Sequence, residues 1–161
     1  MPSSTTPRNT ILVLCLSALS VFWFLGLFHA HPMDSIPSSF AISINGKPIT
    51  QIDTSAADHT QAKVGKDAAI FTLQDSVLRS GDWIMGRDLT ENRSFGPKQV
   101  SWYRASAESE GRVQRVTAKK ESGAYQLIFT KGTLIAGDDD LVFVDLLGEA
   151  PSEVKVILHK T

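Results

Sequence analysis

The sequence has almost no cysteine. Its only one among 161 residues is Cys15, which lies in an apolar run near the amino terminus. The 131 residues from 31 to 161 therefore carry no thiol. This absence excludes disulfide bonds, thiolate metal sites and a cysteine nucleophile from that part of the chain.

An excess of charge of one sign is also missing. The chain has 16 Lys and Arg against 17 Asp and Glu, and only Arg8 among them precedes residue 31. A general nucleic-acid binder needs a basic surface, so this balance excludes nucleic acid as a partner. The sequence also lacks a nucleophile elbow, a phosphate-binding loop, a dinucleotide fingerprint and a zinc-protease motif. We therefore predict no enzyme activity, no catalytic residue and no cofactor.

One long apolar run is present, at residues 11–28, and it has no charged side chain. As a helix it rises about 27 Å, close to the roughly 30 Å of a bilayer's hydrocarbon core. Adding residues 29 and 30 completes a predicted transmembrane helix. The residues assigned to membrane contact are Ile11, Leu12, Trp23, Phe24, Gly26 and Phe28.

The charges that flank this run give it a direction. Arg8 precedes it, whereas the first cation after it is Lys47. The positive-inside bias then keeps the amino terminus in the cytoplasm and sends the rest across, most simply from a bacterial inner membrane into the periplasm. The predicted organisation is a cytoplasmic tail at 1–10, a signal-anchor helix at 11–30, a linker at 31–39 and an extracytoplasmic β domain at 40–161.

Cleavage of the run as a signal peptide is the alternative. It is disfavoured because the run is longer than usual and because Phe28 would occupy a position that needs a small side chain. Cleavage after Ala30 would make His31 the new terminus, which resembles the start of histidine-brace copper proteins in that single residue. His29, His31 and Met33 are accordingly the weak metal-ligand candidates.

The rest of the chain alternates apolar and polar residues in short segments. Residues 40–44 alternate and precede Asn45 and Gly46, the pair typical of a two-residue β-hairpin, so 48–52 should be the returning strand. Residues 53–67 are predicted as a loop or short helix. Further strands are predicted at 69–73, 83–85, 99–105, 111–119, 125–130, 133–136, 141–147 and 154–159. This pattern predicts an all-β domain, either an antiparallel sandwich or a small barrel.

Two charged segments were weighed as sites. The three adjacent carboxylates of residues 138–140 could hold calcium, but the spacing of a calcium-binding loop is missing and a solvated turn is the better interpretation. A basic patch with aromatic neighbours is better interpreted as a solvated hairpin face, because glutamates flank it. Its residues are Arg112, Arg115, Lys119 and Lys120, with Trp102 and Tyr103 upstream.

These observations predict a membrane-anchored accessory or assembly subunit of an envelope or membrane protein complex. The β domain would bind protein, and the strand edge at 48–52 would pair with a strand of the partner. The expected partners are integral membrane or envelope proteins and the bilayer itself. The alternative function is a secreted or anchored copper-binding protein that uses His31.

Overall fold

The structure is a computed structural model in which residues 31–159 are described. The predicted cytoplasmic tail and signal-anchor helix lie outside these residues, together with His29 and the six membrane-contact residues. Within residues 31–159 no helix has the length and apolar character needed to cross a membrane.

The described chain consists of antiparallel strands and one short helix, α1 (Ala107–Arg112), which confirms the all-β prediction. The strands are β1 (Ile36–Ile44), β2 (Lys47–Pro48), β3 (His59–Gln61), β4 (Phe71–Gln74), β5 (Val77–Ser80), β6 (Trp83–Gly86), β7 (Lys98–Gln99), β8 (Ser101–Arg104), β9 (Val116–Glu121), β10 (Ala124–Phe129), β11 (Thr133–Ala136), β12 (Val142–Asp145) and β13 (Val154–Leu158).

Six strands close into a ring of backbone pairing. The path runs from β4 through β5, β6 and β8 to β3. The residues that follow β3 then pair with those that follow β2, since Thr50 N–H donates to the carbonyl of Lys63 at 2.8 Å. On its other edge the same segment accepts from Ala69, which leads into β4, at Ile49 O (2.9 Å). A sheet that closes in this way leaves few edges open.

The remaining strands attach at the margins of this ring. β1 pairs with both β4 and β2 on one edge and with β13 on the other. β9 and β10 form a hairpin, while β12 pairs with β11 and β7. Val142 N–H donates to Ala62 O at 2.9 Å, and this bond joins β12 to the ring.

The core is one cluster of buried apolar side chains. Phe71 stacks between Phe40 and Trp102, with ring centroids 6.2 and 5.5 Å away. Alternate residues of β10 face inward as predicted, since Leu127 and Phe129 are buried whereas Gln126 is exposed. The predicted hairpin at Asn45 and Gly46 is confirmed, with φ of 51° and 81°, the left-handed backbone that a type I′ turn requires.

Several predicted boundaries differ from the structure. The predicted linker at 31–39 is mostly ordered, because β1 begins at Ile36 and Met33 exchanges backbone hydrogen bonds with Ala118 at 2.7 and 2.8 Å. The predicted loop or helix at 53–67 contains β3, whose polar residues pair with β8. The predicted strand at 141–147 stops at Asp145.

Candidate functional site

The candidate metal ligands are not gathered into a site within residues 31–159. His31 is exposed, whereas the half-buried side chain of Met33 packs against the core. No group of three or more His, Cys, Asp or Glu suited to a metal ion occurs in this part of the chain. Because His29 lies outside it, the copper set of His29, His31 and Met33 stays a prediction.

The two charged segments form local contacts. Residues 137–140 make the turn between β11 and β12, and Asp140 pairs with Lys47 at 2.6 Å. In the basic patch, Lys119 pairs with Glu121 and Lys120 lies 5.1 Å from the ring centre of Tyr125. The upstream aromatic residues Trp102 and Tyr103 are both buried, so they do not form an aromatic surface beside the patch.

The strand edge expected at 48–52 is not free. Thr50 N–H donates to Lys63 O at 2.8 Å on one side, and Gln51 N–H donates to Asp67 O at 2.9 Å on the other. Ile49 is also fully buried. The backbone groups of this segment are therefore already used within the chain, and a partner strand cannot add there.

The loop at residues 88–97, between β6 and β7, is held by hydrogen bonds and an ion pair within the chain. Arg87 at its start is 5% exposed and forms a bidentate ion pair with Glu91, at 2.9 Å from Nε and 2.5 Å from Nη2. The same guanidinium donates to the carbonyls of Phe129 and Thr130 at 3.1 and 3.3 Å. Asp88 Oδ1 accepts from Thr90 N–H at 2.8 Å, which closes the first turn of the loop.

A buried lysine holds the far end of the same loop. Lys98 is 6% exposed, and its ammonium donates to the backbone oxygen of Asn92 at 2.9 Å, to Asn92 Oδ1 at 2.7 Å and to Ser94 Oγ at 3.2 Å. A buried charge is costly unless its donors are satisfied. Here these bonds satisfy it, so Arg87 and Lys98 together fix the loop conformation from both ends.

This rigid loop presents an exposed aromatic side chain to an apolar cleft. Phe95 is 76% exposed, and Leu147, which also lines the cleft, is 54% exposed. The cleft has a volume of about 390 Å³. We define the apolar cleft by Phe95, Pro97, Leu147 and Ala150 with the two acids Asp145 and Glu149.

A buried carboxylate holds the residues 145–150 that line the apolar cleft. Asp145 is 7% exposed, and its carboxylate accepts from Ala150 N–H at 2.8 Å and from Leu147 N–H at 2.9 Å. These bonds, that to Ala150 first, hold the pKa of Asp145 below its ordinary value. They also end β12 and turn Leu147 outward.

The 88–97 loop also borders a polar groove, made of two depressions that share His59 and Tyr103. The two rings stack with centroids 4.7 Å apart. Asp88 Oδ2 accepts from the Tyr103 hydroxyl at 3.4 Å and from Arg112 at 3.3 Å. Burial first, and then the Asp88 charge, raise the pKa of Tyr103 to about 12, so the phenol stays protonated and cannot act as a base near neutral pH.

A further cavity, of about 580 Å³, has Val77, Ile84 and Leu89 among its apolar lining. Its charged rim is engaged within the chain: Glu110 pairs with Arg79, and Arg115 donates to the carbonyl of Asp75 at 3.2 Å. Leu89 is 59% exposed, so this cavity supplies a matched control for the apolar cleft.

The residues of the apolar cleft were missed by the sequence analysis. The predicted strand at 141–147 includes Leu147, and the sequence pattern predicts no strand or site at 88–97. The available signal was a lone phenylalanine in the segment Asn92 to Pro97, which is otherwise polar or turn-forming. An aromatic residue in such a loop is typical of a contact surface.

No known protein family matches the chain, and neither does any curated protein or solved structure. The assignment of a site therefore rests on the geometry of the chain itself. In the two depressions of the polar groove, no nucleophile lies against a base. The apolar cleft instead combines exposed apolar side chains with rigid walls.

Proposed function

We propose that the protein is a membrane-anchored accessory or assembly subunit of an envelope protein complex, and that its β domain acts by binding another protein. Residues 11–30 are the anchor, residues 1–10 are cytoplasmic, and the β domain lies outside the cytoplasm. This topology follows from the apolar run and from Arg8 before it.

The observation that carries the proposal is the apolar cleft. Exposed aromatic side chains that are held rigidly lose little conformational entropy when a partner covers them, so they bind proteins well. Phe95 and Leu147 stand on two loops that are each fixed by buried charged groups, Arg87 and Lys98 for one and Asp145 for the other.

The scaffold also suits this role. The ring of β2, β3, β8, β6, β5 and β4 supports a small barrel rather than a two-sheet sandwich, and a rigid barrel positions its loops well for recognition. The anchor adds a second contribution, since tethering raises the effective concentration of the domain for membrane partners to about millimolar. Moderate affinity at the apolar cleft is then sufficient.

The test places a photoreactive phenylalanine analogue at position 95 of the full-length protein in living cells, with the same analogue at position 89 as the control. We expect a cross-linked protein adduct from position 95 and none from position 89. Phe95→Ser should lower partner recovery from mild detergent about tenfold, the effect of losing a central apolar anchor, whereas Leu89→Ser should leave it unchanged. A chain that is recovered alone in every case would contradict the proposal.

A further inference from the structure

We propose that the apolar cleft takes a short segment of the partner in which an apolar side chain is followed by a lysine or arginine. This inference rests on the proposed function and names the chemistry of the partner at the same site. The apolar side chain would insert between Phe95 and Leu147, and the cation would lie against Glu149.

The size and lining of the cleft favour a side chain over a larger ligand. Its volume of about 390 Å³ is at the lower end of the roughly 300–1,000 Å³ typical of small-molecule pockets. Phe95, Pro97, Leu147 and Ala150 supply the apolar surface of its lining. An aliphatic side chain that enters this space removes apolar surface from water on both sides of itself.

The charges at the cleft have one sign. Asp145 and Glu149 line it, and no lysine or arginine does. Lys98, the nearest buried cation along the loop, directs its ammonium to Asn92 and Ser94 within the loop. Glu149 is exposed and forms no ion pair within residues 31–159. Its carboxylate is therefore available, and the local potential selects a cation beside the apolar anchor.

The roles of the two acids differ. Both carboxylate oxygens of Asp145 already accept backbone N–H groups, so Asp145 holds the wall and contributes its charge only at a distance. Glu149 has no such bonds to side chains or backbone among the described residues and can rotate toward the ligand. Glu149 is therefore the residue whose charge should set the preference of the partner, and it can be changed without disturbing the wall.

The test uses three labelled hexapeptides that differ at one position each and full-length protein in mild detergent. The first contains one leucine followed by one arginine, the second replaces the arginine by glutamate, and the third replaces the leucine by serine. Fluorescence anisotropy gives the three affinities. We expect the leucine–arginine peptide to bind about fivefold more tightly than the leucine–glutamate peptide, and about tenfold more tightly than the serine–arginine peptide.

Charge reversal in the protein is the matched variant. Glu149→Lys should invert the preference, so that the leucine–glutamate peptide binds more tightly than the leucine–arginine peptide. Glu149→Gln should remove the preference without weakening the leucine contribution. Glu121→Lys, which changes an exposed glutamate on β9 by the same charge, is the control and should leave the order of the three peptides as in the unmodified protein.

The outcomes separate this inference from the proposed function. If position 95 cross-links to a partner but the glutamate peptide binds as well as the arginine peptide, the charge preference is wrong and protein binding stands. If position 95 cross-links but no peptide binds, the partner does not present a short apolar–basic segment and the inference is likewise wrong. If neither cross-linking nor peptide binding occurs, both fail together.

Discussion

The polar groove and the apolar cleft both border the 88–97 loop, and they differ in whether their polar groups are bonded within the chain. In the polar groove, Asp88 is bonded to Tyr103, Arg112 and the backbone of Thr90. In the apolar cleft, Glu149 has no ion pair within residues 31–159, and Phe95 is largely in water. The polar groove therefore contains charges that pair with one another. The apolar cleft contains surface that the described chain leaves uncovered.

The comparison shows that the number of polar residues in a depression is a poor guide to binding. A carboxylate whose lone pairs are filled by its own chain offers little to a ligand, because binding would first have to break those bonds. An exposed phenylalanine on a rigid loop can be covered by a partner without first breaking hydrogen bonds. The carboxylate of the polar groove is accordingly bonded within the chain, while the apolar cleft is the surface proposed to bind the partner.

The largest effect is expected from removing the buried guanidinium of Arg87, which precedes the 88–97 loop. Arg87→Met leaves Glu91 without its partner and removes the guanidinium donor from the carbonyls of Phe129 and Thr130, of which Phe129 O keeps its bond from Gly132 N–H. This change should lower the free energy of unfolding by about 3–5 kcal/mol. Urea titration of the full-length protein in mild detergent, followed by the fluorescence of the buried Trp83 and Trp102, measures this loss.

The control for Arg87 is Arg79→Met, which breaks the more exposed pair with Glu110. That variant should cost less than about 1 kcal/mol, because solvent screens the pair. Equal losses of unfolding free energy in the two variants would mean that Arg87 does not hold the loop. The comparison of the polar groove with the apolar cleft would then be wrong.

A smaller effect is expected from the titration of Tyr103. Its raised pKa means that the folded state keeps the proton longer than the unfolded state does, so its contribution to stability is complete below the unfolded pKa and is lost as pH rises toward about 12. Asp88→Asn removes a charge that opposes ionisation and should bring the pKa of Tyr103 down. Ultraviolet absorbance of the phenolate against pH measures the shift, and an unchanged curve would contradict the contact between Asp88 and Tyr103.

The smallest effect is expected at His59. Because the proposed binding surface is the apolar cleft, His59→Ala should change partner recovery by less than about twofold, the range of ordinary surface substitutions. Quantitative recovery of the cross-linked partner from the variant measures this. A tenfold loss would move the binding site from the apolar cleft to the polar groove.

Local patterns predicted much of the fold. The pair Asn45 and Gly46 can adopt positive φ cheaply, and the alternation in β10 has one buried face, so both elements were found from the sequence alone. β3 was missed because its residues are polar and only the partner strand β8 makes them a strand. The helix α1 was missed because a six-residue segment gives no periodic signal.

What the sequence determined by itself is the all-β character of residues 31–159 and the absence of a thiol after residue 30, while the anchor stays a prediction. These depend on composition and on short-range periodicity, which need no knowledge of distant contacts. Only the tertiary structure decided which strand edge was free and which loop was rigid. Thr50 pairs with Lys63, Arg87 reaches Phe129, and Phe95 and Leu147 line the same cleft, and each of these relations joins residues far apart in sequence. No local pattern encodes them, because they exist only once the ring of strands has closed.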